Sequence, residues 1–139
     1  MRSSNAVINV YKKNNIRSEV VTQLLYGDTF KKIKKTGTWI KIKNDTDNYK
    51  GYIKNNKYPP NQKNTHKICT VSATLYSRPN SKKKIKKKLS FGSKIKVLKK
   101  EGNFYKFDYF WINKKDLKKI NYKTNNIFKS IFSFIICTF

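Results

Sequence analysis

The feature that most limits what this chain can fold into is an internal repeat. Sliding the sequence against itself by 65 positions aligns residues 9–42 with 74–107 without a gap, with nine of 34 positions identical. The similar positions say more than the identities. They pair Val10 with Leu75, Tyr11 with Tyr76, Val20 with Ile85, Leu24 with Leu89, Tyr26-Gly27 with Phe91-Gly92, Ile33 with Leu98, Gly37 with Gly102 and Trp39 with Phe104. Apolar residues and glycines are what core packing and turn geometry constrain, so the repeat is one of structure and predicts two folded units. After Ile42 the register breaks. Tyr52-Ile53 matches Trp111-Ile112 at a shift of 59, so the first copy carries six more residues between its last two strands.

Within each copy the periodicity is that of β-structure. Residues 8–11, 20–24, 30–33, 39–42 and 51–53 are short runs rich in β-branched and aromatic side chains, separated by Gly, Asn and Asp. Ile40 and Ile42 alternate with Lys41 and Lys43, which gives a strand one buried and one wet face. Gly37 and Gly102 fall where a tight turn between the third and fourth strands needs positive φ. Five short strands in so few residues imply a small barrel, because closure removes the edges a flat sheet would expose. The predicted fold is all-β: a first barrel at 1–58, a linker at 59–67 opened by Pro59-Pro60, a second barrel at 68–122 and a tail at 123–139. Trp39 and Phe104 should occupy equivalent sites, as should Leu24 and Leu89.

Composition narrows the function classes. A net charge of +26 ordinarily raises nucleic acid or an anionic surface as partner, and a basic nucleic-acid-binding small barrel is the alternative reading of this chain. The basic residues, however, are 30 Lys and only three Arg (Arg2, Arg17, Arg78), beside 16 Asn. Arg is the residue that makes bidentate base and phosphate contacts, so no specific nucleic-acid partner is expected. Two cysteines, Cys69 and Cys137, do not make a disulfide framework. Residues 1–10 hold no apolar stretch of signal-peptide length, which predicts a cytoplasmic protein. The apolar run 127–139 is too short to span a membrane. No cofactor or metal site is expected.

The residues quoted so far, with three motifs, resemble the bacterial SH3 domains of NlpC-type cysteine peptidases. The motifs are Ser18-Glu19-Val20-Val21-Thr22-Gln23, Gly37-Thr38-Trp39 and Tyr49-Lys50-Gly51-Tyr52, and the likeness covers roughly 5–125. It is nearest to the dipeptidyl-peptidase subgroup, in which two such domains precede the catalytic one. The resemblance implies peptidases of short peptidoglycan peptides, cleaving after γ-D-glutamate beside a diamino acid, a cell-wall recycling activity. It also implies an Asp-Cys-Ser-Gly motif and a later His, since a thiolate needs an adjacent base and a helix N-terminus to lower its pKa. Neither occurs here: Cys69 is followed by Thr70-Val71, Cys137 by Thr138-Phe139, and the single histidine, His66, precedes Cys69. The chain is therefore expected to be non-catalytic, a targeting or packing module whose partner is cell-wall peptide or a downstream or split peptidase domain.

By the same resemblance the first domain helps to recognise the free amino end of the peptide, and that role falls on Glu19 and Tyr49. A carboxylate and a phenol suit an ammonium group. Only the first copy has the pair, because Glu19 maps onto Lys84 and the loop carrying Tyr49 is shortened in the second. Trp39 and Trp111 read as barrel packing, Lys82–Lys88 as a solvated segment anchored by Ile85, and Lys32 as a strand-edge residue whose stem covers the core.

Overall fold

The computed structural model describes residues 1–121; the expected tail at 123–139, with Cys137, lies outside the described residues. The chain divides into two compact units between Gln62 and Lys63. In the first, β1 (Val7–Tyr11), β2 (Val20–Leu25), β3 (Phe30–Thr36), β4 (Trp39–Asn44) and β5 (Lys50–Lys54) form an antiparallel sheet ordered β2-β1-β5-β4-β3. The second contains β6 (His66–Ile68), β7 (Ser72–Tyr76), β8 (Lys84–Ser90), β9 (Lys94–Ile95), β10 (Lys99–Glu101), β11 (Phe104–Phe107), β12 (Phe110–Asn113) and β13 (Leu117–Lys119). Its main sheet runs β10-β11-β12-β7-β8, and β13-β6-β9 form a small second one. A 3-10 turn at Lys114–Asp116 is the only helical element among the described residues, so the fold is all-β and SH3-like.

Read from the other end, the second sheet has the order of the first, with β7, β8, β10, β11 and β12 in place of β1 to β5. The pairing registers agree except past the bulge of the first hairpin, where Tyr11 opposes Val20 but Tyr76 opposes Lys84. Tyr11 opposes Tyr52 and Tyr76 opposes Trp111; Trp39 opposes Lys54 and Phe104 opposes Asn113. Each pair is related by the two offsets, 65 and 59, that the sequence shows. Side chains follow: Tyr11 meets Trp39 edge-on at 5.8 Å between ring centroids, and Tyr76 meets Phe104 edge-on at 5.1 Å. Edge-to-face is the arrangement ring quadrupoles favour. Leu24 and Leu89 are both buried. Asn15 and Asn80 each accept the N–H two residues on, at 2.8 and 2.9 Å, and so shape the two equivalent hairpin loops. Gly27 and Gly92, at φ 83° and 91°, and Gly37 and Gly102, at 62° and 58°, take the left-handed turns.

The structural repeat reaches further than the sequence alignment. Arg2 bridges to Thr29, as Lys67 pairs with Lys94 in β6–β9, again 65 residues on. Ser3 N–H donates to Asp28 O and Ile68 N–H to Ser93 O, both at 2.8 Å. Arg2 N–H donates to Pro59 O and the Arg2 Nε to Pro60 O, at 3.0 and 3.1 Å, while Lys118 lies opposite Lys67. The stretch 59–67 is thus drawn in from both ends, its prolines by the first unit and its last residues by β6 of the second.

Ile33 and Leu98 depart from the expectation that aligned apolar positions are core. They are 48% and 57% exposed. The pairing of β3 with β4 passes from Lys32 to Lys34, so Ile33 is the extra residue of a bulge, and Leu98 falls in the equivalent break between β9 and β10. Lys32 is exposed on β3 at the end of its sheet, and Trp39 and Trp111 are buried, as their sequence contexts suggest.

The first core is Val10, Leu24, Phe30, Ile40, Ile42 and Ile53. The repeat partners of Phe30 and Ile42 are Ile95 and Phe107, both buried, so the two copies exchange a Phe and an Ile between neighbouring strands and keep their combined volume. Phe30→Ile and Ile42→Phe should each destabilise the first unit by about 1–3 kcal/mol, one by a void and the other by crowding. The double variant should recover most of that loss. Urea unfolding followed by Trp39 emission in a Trp111→Phe background measures it, and strict additivity would refute the exchange. At Gly51 an added Cβ would lie 2.6 Å from Val10 Cγ1 and 2.7 Å from Tyr11 O. Gly51→Ala should therefore cost about 2 kcal/mol or more in the same assay, because backbone oxygen cannot yield as a side-chain end can.

Candidate functional site

The two residues expected to meet a ligand are carried by loops built in different ways. Glu19 closes the β1–β2 hairpin, where its carbonyl accepts Lys12 N–H at 2.8 Å. Ser18 Oγ reaches back across the loop to the backbone of Lys13, and Asn15 Oδ1 caps Arg17 N–H. The loop encloses an open depression of about 380 Å³ lined by Lys12, Lys13, Asn15, Arg17, Ser18 and Glu19. One carboxylate stands there among three cationic side chains, a mixture suited to a zwitterion rather than to a simple cation.

Tyr49 ends the β4–β5 loop, the segment that is longer in the first copy. Its ring is 57% exposed. The backbone beneath it is firmly held: Asn44, itself buried, donates its N–H to Tyr49 O at 2.9 Å, and Asn48 takes φ 61°. Asp47 joins this loop to the Ser18–Gln23 motif. One carboxylate oxygen accepts Tyr49 N–H at 2.9 Å and the other accepts the hydroxyl of Thr22 on β2. Glu19 and Tyr49 thus sit on segments tied through Thr22 and Asp47. In the second unit the corresponding turn is only Asp108-Tyr109, with Asp108 at φ 45°.

The second unit has a cleft of its own, about 590 Å³, whose lining includes His66, Tyr105, Asn113, Lys115, Lys118 and Lys119. The His66 ring meets Tyr105 edge-on at 5.6 Å, and its Nδ1 lies 2.8 Å from Thr65 Oγ1. Thr65 Oγ1 accepts Val97 N–H at 2.9 Å and has one hydrogen to give. Given to Nδ1, it leaves the imidazole proton on Nε2. Cys69 has other neighbours: it is buried, with its Sγ 4.0 Å from Lys115 O. Asp116, also buried, has its carboxyl pushed up by burial, against an opposing pull from Lys115 and Thr70. Among the described residues no group of three or more His, Cys, Asp or Glu could hold a metal ion, and no helix is long and apolar enough to cross a membrane.

Residues 5–59 match the bacterial SH3 domain family. The first unit is a bacterial SH3 domain. No curated protein matches the chain. Among solved structures, an NlpC/P60 family protein from Bacillus cereus ATCC 10987 is similar with a TM-score of 0.67 and 14% identity, over 88% of this chain and 56% of that one. At that identity the likeness is one of fold. The chain spans little more than half the length of that relative. The bacterial SH3 domain of the first unit is followed by a second barrel with the same strand order, which makes the chain a tandem of the fold.

Sequence reasoning singled out Glu19 and Tyr49 and quoted Thr22 only within a motif; it passed over Asp47 and set His66 aside as a linker residue. An Asp two residues before an exposed aromatic is a recognisable Asx-turn signal. His66 had none, because its neighbours in the cleft come from Tyr105 and residues 113–119, far away in sequence. Burial first, then Lys100 and Lys119, hold the His66 imidazole below its ordinary pKa of 6.5. A depressed pKa means that the unfolded chain takes up this proton first. The stability linked to His66 is therefore complete above the unfolded value and is lost as pH falls below it. Unfolding of the second unit, followed by Trp111 emission in a Trp39→Phe background, should shift to lower urea as pH drops below about 6.5. His66→Gln should flatten that dependence.

Proposed function

We propose that the chain is a non-catalytic tandem bacterial SH3 module that serves an NlpC-type peptidase of peptidoglycan peptides, an endopeptidase cutting between γ-D-glutamate and a diamino acid. The reading is supported by the family match at 5–59 and by the fold shared with an NlpC/P60 protein. The observation that carries it is Asp47, which bonds both the Thr22 hydroxyl and the Tyr49 amide and so ties the loop bearing the exposed phenol to β2, the strand that follows Glu19. In this reading Glu19 accepts the free ammonium of the peptide by a charge-assisted hydrogen bond, Tyr49 covers it, and Lys12, Lys13 or Arg17 meets a peptide carboxylate. The module contributes binding and orientation. Bond cleavage requires a nucleophile acting on the transition state, supplied by a peptidase domain working with it. The setting would be the recycling of wall fragments in the cytoplasm.

The test is binding of L-Ala-γ-D-Glu-meso-diaminopimelate to the purified chain, read by amide chemical-shift changes. Saturable shifts should gather at the β1–β2 and β4–β5 loops, and an N-acetylated peptide should bind about tenfold more weakly, since the charge-assisted bond is lost. Glu19→Gln should remove that preference. Equal binding of the free and acetylated peptides, or none by either, would refute the assignment of Glu19 and Tyr49.

A further inference from the structure

The cleft of the second unit is where the two copies of the repeat differ most in chemistry. By the offsets of 65 and 59, His66 stands where the first copy has Met1, Tyr105 where it has Ile40, Lys118 and Lys119 where it has Pro59 and Pro60. The same corner of the fold holds, in the first copy, Tyr58, the counterpart of Leu117, packed edge-on against Phe30 at 5.2 Å, and the Arg2 bonds to Pro59 and Pro60. In the second it is open and polar. No lining residue is acidic; the lining offers an imidazole, a phenol, two carboxamides and four ammonium groups.

We propose that this cleft binds a small phosphate-bearing anion, a free phosphate or phosphomonoester, with His66 at its base and Lys118 and Lys119 at its side. A tetrahedral anion needs several donors converging from different directions. The cleft supplies them from β6 (His66), β11 (Tyr105), the end of β12 (Asn113), the 3-10 turn after it (Lys114, Lys115) and β13 (Lys118, Lys119). With the Thr65 hydroxyl donating to Nδ1, Nε2–H is the donor on the far side of the ring. The charged and titratable groups around the imidazole are Lys100 from β10, Tyr105 from β11 and Lys119 from β13; burial first, and then the two ammonium groups, disfavour its charged form. An anion reverses that balance. By linkage, a ligand that favours the imidazolium binds more tightly where the imidazolium forms, so affinity must rise as pH falls.

The single histidine makes the test direct, because its ring signals belong to one residue. Titration with inorganic phosphate at constant ionic strength should give a saturable shift of the His66 ring signals, and phosphoserine should do the same. With sulfate, whose own charge does not change between about pH 5 and 8, affinity should increase about tenfold for each unit by which binding raises the His66 pKa. Lys118→Gln with Lys119→Gln should weaken phosphate binding about tenfold, whereas Lys31→Gln with Lys34→Gln, which removes the same charge from β3, should leave it unchanged. Amide spectra of both double variants check that they fold. Equal weakening by the two pairs, a His66 signal that shifts without saturating, or binding by an oligothymidylate that phosphate does not displace would overturn the proposal. Its outcome is independent of the peptide binding proposed for Glu19 and Tyr49.

Discussion

Everything in the first unit depends on the seam between β1 and β5. Those strands join the β2-β1 hairpin to the β5-β4-β3 meander, and the ladder between them has a single residue pair, Tyr11 with Tyr52. So short a ladder holds only if the backbones come close and the side chains above and below fill the space. Gly51 allows the approach, since any Cβ there would strike Val10 and the Tyr11 carbonyl. Val10 then reaches the core with Ile53, and Tyr11 sets its ring against Trp39. Lys54 completes the cluster with its Nζ 4.3 Å from the centre of the Trp39 ring, so the indole is covered by an aromatic edge and a cation stem. The second unit builds the same seam with different parts. Phe110 takes the place of Gly51, leans on Phe107 at 5.8 Å and carries Lys87 over its own face at 5.1 Å.

Much of this was legible in the sequence because the seam and the strands use residue types with few alternatives. The five strands of the first copy lie within two or three residues of where alternation and turn residues put them, and the offsets of 65 and 59 reproduce the registers of both sheets except past the bulge of the first hairpin. What escaped notice has a physical reason in each case. Met1 to Ser3 and His66 to Ile68 play the same part but share no side-chain character, since the bonds that hold them are backbone bonds, to which residue identity is nearly irrelevant. Ile33 and Leu98 align as apolar residues yet mark a bulge, and a one-residue insertion in a ladder leaves no trace in a hydrophobic pattern. Tyr26 is 3% exposed where its partner Phe91 is 48% exposed, so even a matched aromatic did not guarantee a matched environment. Of the candidate site, the loops and their exposed side chains could be read, but not Asp47, whose partner Thr22 lies 25 residues away.

The lysine excess also has a structural place. Both sheets are open at their ends in the strand order, and three of the four end strands are Lys-rich: β3 reads Phe-Lys-Lys-Ile-Lys-Lys-Thr, β8 Lys-Ile-Lys-Lys-Lys-Leu-Ser and β10 Lys-Lys-Glu. An end strand with free backbone groups invites pairing with another chain, and a row of ammonium groups makes that costly. The lysine excess therefore also guards the edges of the sheets. The exposed Ile33 and Leu98 sit on or beside such strands, flanked by lysines that keep an apolar bulge from becoming a nucleus for association.

The repeat explains how one fold can carry two chemistries. A small barrel commits its interior to packing: the exchange of Phe30 and Ile42 for Ile95 and Phe107 shows how tightly the core volume is kept while its residues change. Freedom is left to the loops and to the corner where the first strand enters. The first copy lengthens the β4–β5 loop and places three of its four acidic residues there and nearby, at Asp45, Asp47 and Glu19. Its entry corner holds Tyr58 and two prolines. In the second copy the reverse holds. Its β11–β12 turn is reduced to two residues, while its entry corner opens into a cationic cleft around His66. Both changes lie away from the β1–β5 seam, and their charges are opposite in sign: the first copy gathers carboxylates around its β4–β5 loop, whereas the second gathers lysines around its cleft.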